Sequence, residues 1–463
     1  MKSTSPISRR QMLAASTAAA AMTIVPRHVL GGPSQKPPSE KLNIAGVGLN
    51  GMGAGDIQNC AEENIVALCD VDQRVLDRLA KQYPKARLHT DFRKMLEGQK
   101  DIDAVMIATP DHSHAVITMA ALKMGKHVHC QKPLTHSVYE ARMIAKAARE
   151  AKVATQMGNQ GQASKEARLI CELVWSGAIG TVREVHGGSS RTPMISPRGI
   201  ARPPQTSPVP PQLDWDLWLG PAPARPYLED YCDGPFKGGP WKVYHPFAWR
   251  GWWDFGTGCL GDIGCHQFSV VFKALKLGHP ATIEASSSNH PWGKEVGDET
   301  APLASITRWH FPEEQVGQAT GSGRSAITLT WWDGGLKPPR PAELEPDRKF
   351  AEDDWLMIVG DKGKIYGHRL IPDAKARAFG KPPEVLPRSP GHYVEWIRAC
   401  KGGPAAGSNF VDHATHLAEV VLLGNIALRT KEKLLWDGEN LRFTNSAEAN
   451  KLVNPPYRAG WNL

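Results

Sequence analysis

The sequence predicts an α/β domain built on a doubly wound parallel sheet, followed by a second domain in the same chain. The first observation is that short apolar strands alternate with helical segments between residues 41 and 160, the pattern of strand–helix–strand units. The second is a glycine-rich turn between the first strand and the first helix. The third is the length of 463 residues with 41% hydrophobic side chains, enough for two or three domains at ~100–200 residues each.

Four parts are expected along the chain. Composition and strand–helix alternation change near residues 40, 160 and 440. The parts are a leader and linker at 1–40, the α/β domain at 41–160, the second domain at 161–440 and a C-terminal tail at 441–463.

The first 40 residues are expected to be an export signal and a linker. Arg9 and Arg10 precede an Ala-rich apolar stretch, which a Pro-, Gly- and Ser-rich stretch follows; this order is typical of twin-arginine signals. The apolar stretch is shorter than the ~18 residues of a membrane span, so no stable span is expected. The alternative is a disordered tail with a chance arginine pair. The signal predicts that the twin-arginine export machinery is a partner and that the protein is periplasmic or otherwise exported.

Charge and cysteine spacing exclude two classes of ligand. The formal net charge of +8 includes the basic leader, and the remaining positive charge is spread without basic runs, so nucleic acid is not expected as a partner. The eight cysteines include no C-x-x-C pair. We therefore expect mostly buried thiols and no metal site.

The glycine-rich turn, "GVGLNG", comprises Gly46, Gly48, Asn50 and Gly51 and predicts a dinucleotide site. Gly46 permits a tight turn, Gly48 lets a pyrophosphate approach the backbone, and Gly51 allows the helix to pack closely on the strand. Asp70 ends the next strand, 19 residues after Gly51, where a carboxylate binds ribose hydroxyls and repels a 2′-phosphate. The pattern predicts a Rossmann domain that binds NAD in preference to NADP.

Polar residues follow three later strands of the same domain. Because ligands bind beyond the carboxyl ends of parallel strands, these residues are further candidates for contact with the cofactor. They are Thr109, Pro110, His112 and His114 in "ATPDHSHA", Gln131 and Lys132 in "QKP", and Asn159 in "MGNQ". A single loop His or Lys is usually only solvated, but three polar clusters at successive strand ends favour a functional edge.

The stretch "GDIGCHQF" places Asp262 and His266 four residues apart. In a helix the two side chains share one face, where the carboxylate can fix the imidazole tautomer and raise its basicity. The pair is therefore a candidate general base with its orienting acid. The alternative is a capping Asp beside a packed core His.

An irregular stretch rich in Pro and Trp, from about residue 191 to residue 250, leads into this motif. Indole faces stack on the C–H faces of sugars, and Arg and Asp bind hydroxyl groups. The candidate substrate residues at its end are Trp249, Arg250, Trp252, Trp253 and Asp254. The alternative for each Trp is a place in the core of the loop.

Between residues 41 and 440 the chain resembles the Gfo/Idh/MocA oxidoreductases. The resemblance rests on four motifs in order: "GVGLNGMG", "ATPDHSHA", "QKP" in place of E-K-P, and the D-x-x-x-H of "GDIGCH". It implies an N-terminal Rossmann domain and a C-terminal α+β domain with a large, open-faced, mainly antiparallel sheet. Such a sheet often mediates oligomerisation, so a homodimer or homotetramer is expected. The resemblance also implies that Lys132 lies near the nicotinamide and that Asp262 and His266 meet the substrate.

Two positions depart from the family pattern. Gln131 stands where the family has Glu; it can still bind a ribose hydroxyl, but it removes a negative neighbour of Lys132 and so favours loss of the ammonium proton. Ser269 stands where the family tends to have Asp, so a substrate hydroxyl contact is expected to be lost or altered.

The leading hypothesis is an exported oxidoreductase that moves a hydride between tightly bound NAD and a secondary hydroxyl or ketone of a sugar, cyclitol or glycoside. In this hypothesis His266 takes the hydroxyl proton, Asp262 supports the imidazole, and Lys132 hydrogen-bonds the carbonyl oxygen. One alternative is a glycoside hydrolase that uses retained NAD for transient oxidation and elimination. The other is a non-catalytic protein that binds a ligand.

Overall fold

The computed structural model describes residues 40–191, 197–232, 237–240, 242–288, 299–313 and 325–463. Residues 1–39 of the predicted export signal and linker at 1–40 lie outside these residues. Among the described helices, none has the length and apolar character needed to cross a membrane.

The first domain is a six-stranded parallel sheet with the strand order β3-β2-β1-β4-β5-β6. Its strands are β1 Asn43–Val47, β2 Asn64–Cys69, β3 Arg87–His89, β4 Ala104–Ile107, β5 His127–Cys130 and β6 Thr155–Met157. The helices between them are α1 Met52–Asn59, α2 Gln73–Gln82, α3 Phe92–Gly98, α4 Asp111–Lys123 and α5 Val138–Ala151. The doubly wound sheet predicted from strand–helix alternation is confirmed.

Both faces of this sheet are buried, because neighbouring residues of a strand point to opposite faces. On β4, Val105 belongs to the apolar cluster that includes Ile117 of α4, whereas Met106 belongs to the cluster that includes Ile57 of α1. Side-chain caps set where the helices begin: Ser137 and Glu140 form a capping box at the start of α5.

The second domain is a nine-stranded sheet with the order β13-β12-β11-β7-β10-β9-β8-β14-β15. Its strands are β7 Val182–Ser189, β8 Thr282–Ser288, β9 Ala304–Phe311, β10 Ile327–Asp333, β11 Asp354–Gly360, β12 Gly363–Tyr366, β13 Arg369–Ile371, β14 Leu434–Asp437 and β15 Arg442–Phe443. Only β7 and β10 pair in parallel among these described strands. The mainly antiparallel sheet implied by the family resemblance is confirmed.

Seven further α-helices are described from residue 165 onward. They are α6 Lys165–Trp175, α7 Trp215–Leu219, α8 Cys265–Leu275, α9 Asp373–Phe379, α10 His392–Cys400, α11 Thr415–Thr430 and α12 Ala447–Val453. The segment 441–463, expected to be a tail, contains β15 and α12. One apolar cluster runs from the first sheet through α8 and α11 to the second sheet, so the two domains share a continuous core.

Packing of α8 on the sheet fixes the position of the "GDIGCHQF" stretch. The Phe268 ring makes edge contacts with Trp309 and Trp331, at centroid distances of 5.9 and 5.8 Å. Gly187 of β7 leaves room for Phe268, because a Cβ there would lie 2.7 Å from its ring. The residues just before Phe268 are therefore held against the face of the second sheet that α8 covers.

Candidate active site

The glycine-rich turn has a shape that only glycine permits at two positions. Gly48 has a φ of 76°, and a Cβ there would lie 2.6 Å from the Thr109 backbone nitrogen. Gly51 has a φ of 53° with no heavy atom within 4 Å of a Cβ. The close packing that the sequence assigned to Gly51 instead involves Gly46 and Gly53, whose Cβ atoms would meet Ile57 and the Gly48 carbonyl. The Cβ-free surface of the turn at the start of α1 fits a pyrophosphate.

Asp70 directly follows β2 and lies beside this turn. Its Oδ2 accepts a hydrogen bond from the Leu49 N–H at 2.7 Å, and its Oδ1 accepts one from the Asp72 N–H at 3.0 Å. Burial raises the pKa of Asp70 above its usual value, although these two donors oppose that effect. Each carboxylate oxygen keeps a lone pair for a ribose hydroxyl, so Asp70 can shape the turn and bind the cofactor at once.

We expect Asp70→Ala to weaken NAD binding and to reduce discrimination against NADP. The lost charge-assisted hydrogen bond is worth about 1.5–3 kcal/mol, and repulsion of a 2′-phosphate disappears with the carboxylate. Calorimetric titration with both nucleotides measures the two effects. Asp77→Ala, on the exposed side of α2, is the control. An unchanged ratio of the two affinities would contradict the assignment of Asp70 to the ribose.

A cleft of about 540 Å³ opens between the turn and the second domain. It brings together many of the residues that the sequence singled out. Those that line it are Gly48, Asn50, Gly51, Asp70, Thr109, Pro110, His114, Gln131, Lys132, Trp249, Arg250 and Asp262. The glycine-rich turn, the Asp70 carboxylate and the cleft together fit a nicotinamide dinucleotide.

Lys132 and Asp262 join the two domains inside this cleft. The Lys132 Nζ donates to Asp262 Oδ1 at 2.7 Å and to the Asp262 carbonyl oxygen at 2.9 Å. The Arg250 Nε lies 3.4 Å from the same Oδ1. Burial alone would raise the pKa of Asp262, but the positive charges of Lys132 and Arg250 lower it to about 2. The carboxylate is therefore ionised at neutral pH and holds the ammonium in place.

His266 receives only part of the support that the sequence predicted for it: the charge of Asp262 raises the pKa of the imidazole, but less than burial lowers it. Among the described residues, Asp262 makes no hydrogen bond or ion pair with His266; its carboxylate meets Lys132 and Arg250 instead. The cause is local: Leu260–Gly264 forms a π-helical turn before α8, and this wider turn changes the spacing that an α-helix would give. Burial, and then the charge of Lys132, lower the pKa of His266 to about 3, so the imidazole is neutral and weakly basic.

Both histidines of "ATPDHSHA" contact backbone carbonyls. The His112 nitrogens lie 2.9 Å from the Trp218 oxygen and 3.3 Å from the Phe255 oxygen. Those of His114 lie 2.7 Å from the Pro133 oxygen and 2.8 Å from the Thr109 oxygen. His112 thus attaches the aromatic loop to α4, and His114 holds the turn after Lys132 against the turn after β4. The ring nitrogens of both histidines thus lie against backbone carbonyls; His114 lines the cleft, whereas His112 is not among the residues that line it.

Gln131 and Asn159 also have partners within the chain. Gln131 Nε2 donates to Asp56 Oδ2 at 2.8 Å, whereas an ionised Glu there would repel the Asp56 carboxylate. The negative neighbour that Lys132 was expected to lack is supplied by Asp262. Asn159 Nδ2 donates to the Cys265 carbonyl at 3.1 Å, so it bridges β6 and α8. Ser269 is buried, with its Oγ 3.0 Å from Gln162 and 2.9 Å from His413.

Two of the five predicted substrate residues, Trp249 and Arg250, line the cleft. Trp252 is fully buried and donates from its indole nitrogen to the Val243 carbonyl. Trp253 is buried outside the cleft lining, and Asp254 pairs with Arg225. These three positions are corrected to parts of the folded aromatic loop, where Trp215, Trp218, Tyr244 and Phe255 also pack.

Asp111 was missed by the sequence analysis, although it lies between Pro110 and His112. It is 2% exposed, lines the cleft, and accepts a hydrogen bond at 2.7 Å from the Thr257 hydroxyl on Oδ2. Its Oδ1 is buried without a hydrogen-bond partner in the described structure. Burial, and then the charge of Asp262, raise the pKa of Asp111 to about 7. An acid at the first position of a helix usually indicates only a favourable dipole contact, so no separate signal marked Asp111 in the sequence.

Outside the cleft, His279, His416 and Glu419 place potential metal ligands within 4.8 Å of one another. Arg142, however, donates to both Glu419 oxygens, including Oε1 at 2.9 Å. The Arg142 Nη2 also lies 3.3 Å from His279 Nε2. The guanidinium supplies the positive charge that a cation would bring, so this cluster joins α5 to α11.

Comparisons with known proteins agree with this architecture. The family model described as "Oxidoreductase family, NAD-binding Rossmann fold" matches residues 42–159. The model described as "Oxidoreductase family, C-terminal alpha/beta domain" matches residues 201–289 and 314–463. The WlbA dehydrogenase from Bordetella pertussis, solved in complex with NADH and UDP-GlcNAcA, has a TM-score of 0.55 and 16% identity over 86% of this chain and 99% of that chain. That likeness shows the fold.

Curated relatives match this chain over part of its length. An inositol 2-dehydrogenase from Rubrobacter xylanophilus is 31% identical over 147 residues, which are 31% of this chain and 42% of that protein. A glycosyl hydrolase family 109 protein from Shewanella sp. is 29% identical over 162 residues, covering 32% of this chain and 35% of that protein. The matches thus span less than half the length of these relatives.

Proposed function

Since the chain belongs to the Gfo/Idh/MocA oxidoreductase family, we propose that it is an NAD-dependent oxidoreductase of sugars or polyols. It transfers a hydride between a tightly bound nicotinamide and a secondary hydroxyl or ketone of a sugar, cyclitol or glycoside. The similarity to an inositol 2-dehydrogenase supports this class of substrate.

The observation that carries this proposal is the ion pair between Lys132 and Asp262. Lys132 follows β5, at the carboxyl end of the parallel sheet, and Asp262 comes from the second domain. Ligands of doubly wound sheets bind at this edge. An ammonium at the junction of the domains is placed to meet the oxygen of a substrate that lies over the nicotinamide.

Each group in and around the cleft has a proposed role in hydride transfer. Bound NAD supplies the acceptor or donor of the hydride. Lys132 donates a hydrogen bond to the substrate oxygen and stabilises negative charge that develops there. Asp262 and Arg250 fix the direction of the ammonium. His266, which is not among the residues that line the cleft, is the candidate acceptor of the hydroxyl proton. Trp249 offers an indole face to the substrate ring.

The proposal is tested by two measurements on the purified protein. Denaturation should release a nicotinamide dinucleotide, identified by mass spectrometry. A panel of sugars, cyclitols and glycosides should then include a compound that reduces the bound NAD, followed by the absorbance of NADH. The proposed activity would be contradicted if the protein releases the dinucleotide but no compound of the panel reacts with its bound NAD or NADH.

A second candidate is an NAD-dependent glycoside hydrolase, favoured by the match to a family 109 glycosyl hydrolase. Transient oxidation, elimination and return of the hydride would cleave a glycoside with no net NADH. Release of the aglycone from a chromogenic glycoside without accumulation of NADH would select this candidate. A non-catalytic protein would bind a ligand tightly and give neither product.

We also propose that the protein is exported through the twin-arginine pathway and assembles as a homo-oligomer. The arginine pair before an apolar stretch supports export. The nine-stranded sheet supports assembly, because α8 and α11 cover one face and the other carries partly exposed side chains such as Arg308 and Thr328. Light scattering of the purified protein tests for a dimer or tetramer.

The double substitution Arg9→Lys and Arg10→Lys should retain the protein in the cytoplasm. The export machinery recognises the guanidinium pair, and Lys keeps the charge without the planar fork. Cell fractionation measures the periplasmic share of the protein. Lys2→Arg, which keeps the pair intact, is the control. Normal periplasmic recovery of the double variant in a strain with twin-arginine export as its only route would contradict the proposal.

A further inference from the structure

The segment 454–463 returns from the second domain to the first and is held there by several contacts. The Tyr457 hydroxyl donates to Glu140 Oε1 at 2.6 Å, at the start of α5. Arg458 Nε donates to the Gly220 carbonyl at 2.9 Å, and its backbone N–H donates to the Pro221 carbonyl at 2.9 Å. Lys123 of α4 donates to the Leu463 carbonyl at 3.1 Å. These anchors fix the path of the segment across the first domain.

This path brings Trp461 to the start of α3. The Arg93 guanidinium lies 4.6 Å from the centre of the Trp461 ring, a cation–π distance. The Phe92 ring lies 6.2 Å away with an interplanar angle of 36°. Trp461 and Phe92 both line the main cleft, together with Thr90 and Asp91. An aromatic wall made from two distant parts of the chain therefore closes one end of the cleft.

The strand order shows which end this is. β2 and β3 lie on one side of β1, and β4, β5 and β6 lie on the other. Asp70 directly follows β2 and α3 follows β3, whereas Lys132 follows β5. Because the acid at the end of the second strand marks the adenosine ribose, the aromatic wall lies at the adenosine end of the cleft and Lys132 at the nicotinamide end.

We propose that Trp461 forms one wall of an adenine subsite, so that a residue far outside the Rossmann domain is part of the dinucleotide site. Adenine presents a flat π surface, and an indole side chain is a favourable stacking partner for a base. Arg93 lies over the indole ring, and Phe92, which lines the same end of the cleft, packs beside it. The inference rests on the proposed function only in that the chain binds a nicotinamide dinucleotide.

The test separates the two halves of the cofactor. ADP-ribose carries the adenosine half, and nicotinamide mononucleotide carries the other. In calorimetric titrations of nucleotide-free protein, Trp461→Ala should weaken ADP-ribose binding about tenfold, toward the lower end of the loss expected for one base–aromatic stack. Nicotinamide mononucleotide should bind the variant as it binds the wild-type protein. Trp461→Phe, which keeps a smaller ring, should retain most of the affinity for ADP-ribose.

Controls distinguish stacking from a general effect on folding. Trp175→Ala removes an exposed indole on α6 and should change the affinity for neither ligand. Equal affinity of wild-type and Trp461→Ala protein for ADP-ribose would overturn the inference, as would an equal loss for both ligands. If the wild-type protein binds neither ADP-ribose nor nicotinamide mononucleotide, both the inference about Trp461 and the dinucleotide site are overturned. If the selective loss occurs and no sugar is oxidised, the inference stands and only the proposed function fails.

Discussion

Lys132→Ala should lower turnover at least ~10²-fold while the protein stays folded and keeps its affinity for NAD. The ammonium is the charge that the structure places at the junction of the domains, and a preorganised donor to a developing oxyanion contributes about this much to a rate. Folding should tolerate the change, because Arg250 still lies 3.4 Å from the Asp262 carboxylate and leaves it paired.

Three measurements check this result: the melting temperature, the amount of bound nucleotide, and single-turnover hydride transfer between the bound nucleotide and an active substrate. Lys146→Ala is the matched control, since Lys146 lies on α5 with its side chain 70% exposed. Full hydride transfer by a folded Lys132→Ala protein would show that the ion pair between Lys132 and Asp262 has only a structural role.

Variants of the neighbouring residues assign their roles. Asp262→Asn keeps the size of the side chain but removes the charge that anchors Lys132, so we expect lower turnover with a retained fold. His266→Ala should lower turnover by ~10²-fold if the imidazole accepts the substrate proton. Loss of stability with nearly unchanged turnover per folded molecule would instead favour the packed-histidine alternative.

The pH dependence of turnover separates the same groups. The pKa values of about 3 for His266 and about 2 for Asp262 place their titrations well below neutrality. A step in turnover near pH 7 would therefore belong to another group, and the pKa of Asp111 lies there. Asp111→Asn should remove such a step, because an amide cannot ionise as the pH rises.

The parts of the site predicted correctly are those whose signals are local in sequence. The strand, the glycine-rich turn and Asp70 lie within 28 residues, from Asn43 to Asp70, and each has a direct geometric reason. The contact between Lys132 and Asp262 joins residues 130 positions apart. The family resemblance implied that Lys132 and Asp262 both belong to the site. Nothing in either motif indicated that they form an ion pair.

The errors have physical causes as well. The π-helical turn at Leu260–Gly264 depends on how the segment packs on the sheet, so the four-residue spacing alone suggested an α-helical pair. In the aromatic loop, Trp249 lines the cleft while Trp252 is fully buried. No periodicity marks the difference, because the chain is irregular there. The role of Trp461 depends on a returning segment whose path only the fold defines.

Gly48→Ala should abolish measurable NAD binding, a loss of at least ~10²-fold. The new Cβ would lie 2.6 Å from the Thr109 nitrogen and 2.8 Å from the Ala108 carbonyl carbon. Both are backbone atoms at the end of β4, which cannot move as a flexible side chain can. The φ of 76° adds strain for any residue with a Cβ. The turn must therefore shift into the space where the pyrophosphate approaches the backbone.

Gly55→Ala is the matched control for this prediction. Gly55 lies inside α1, and nothing lies within 4 Å of a Cβ built there. Alanine should stabilise that helix by up to about 1 kcal/mol and leave NAD affinity unchanged. Calorimetric titration gives the affinity of each variant, and circular dichroism shows whether the Gly48→Ala protein keeps its secondary structure. The two substitutions add the same methyl group at positions seven residues apart. Equal NAD binding by both variants would therefore show that the pyrophosphate does not lie against Gly48.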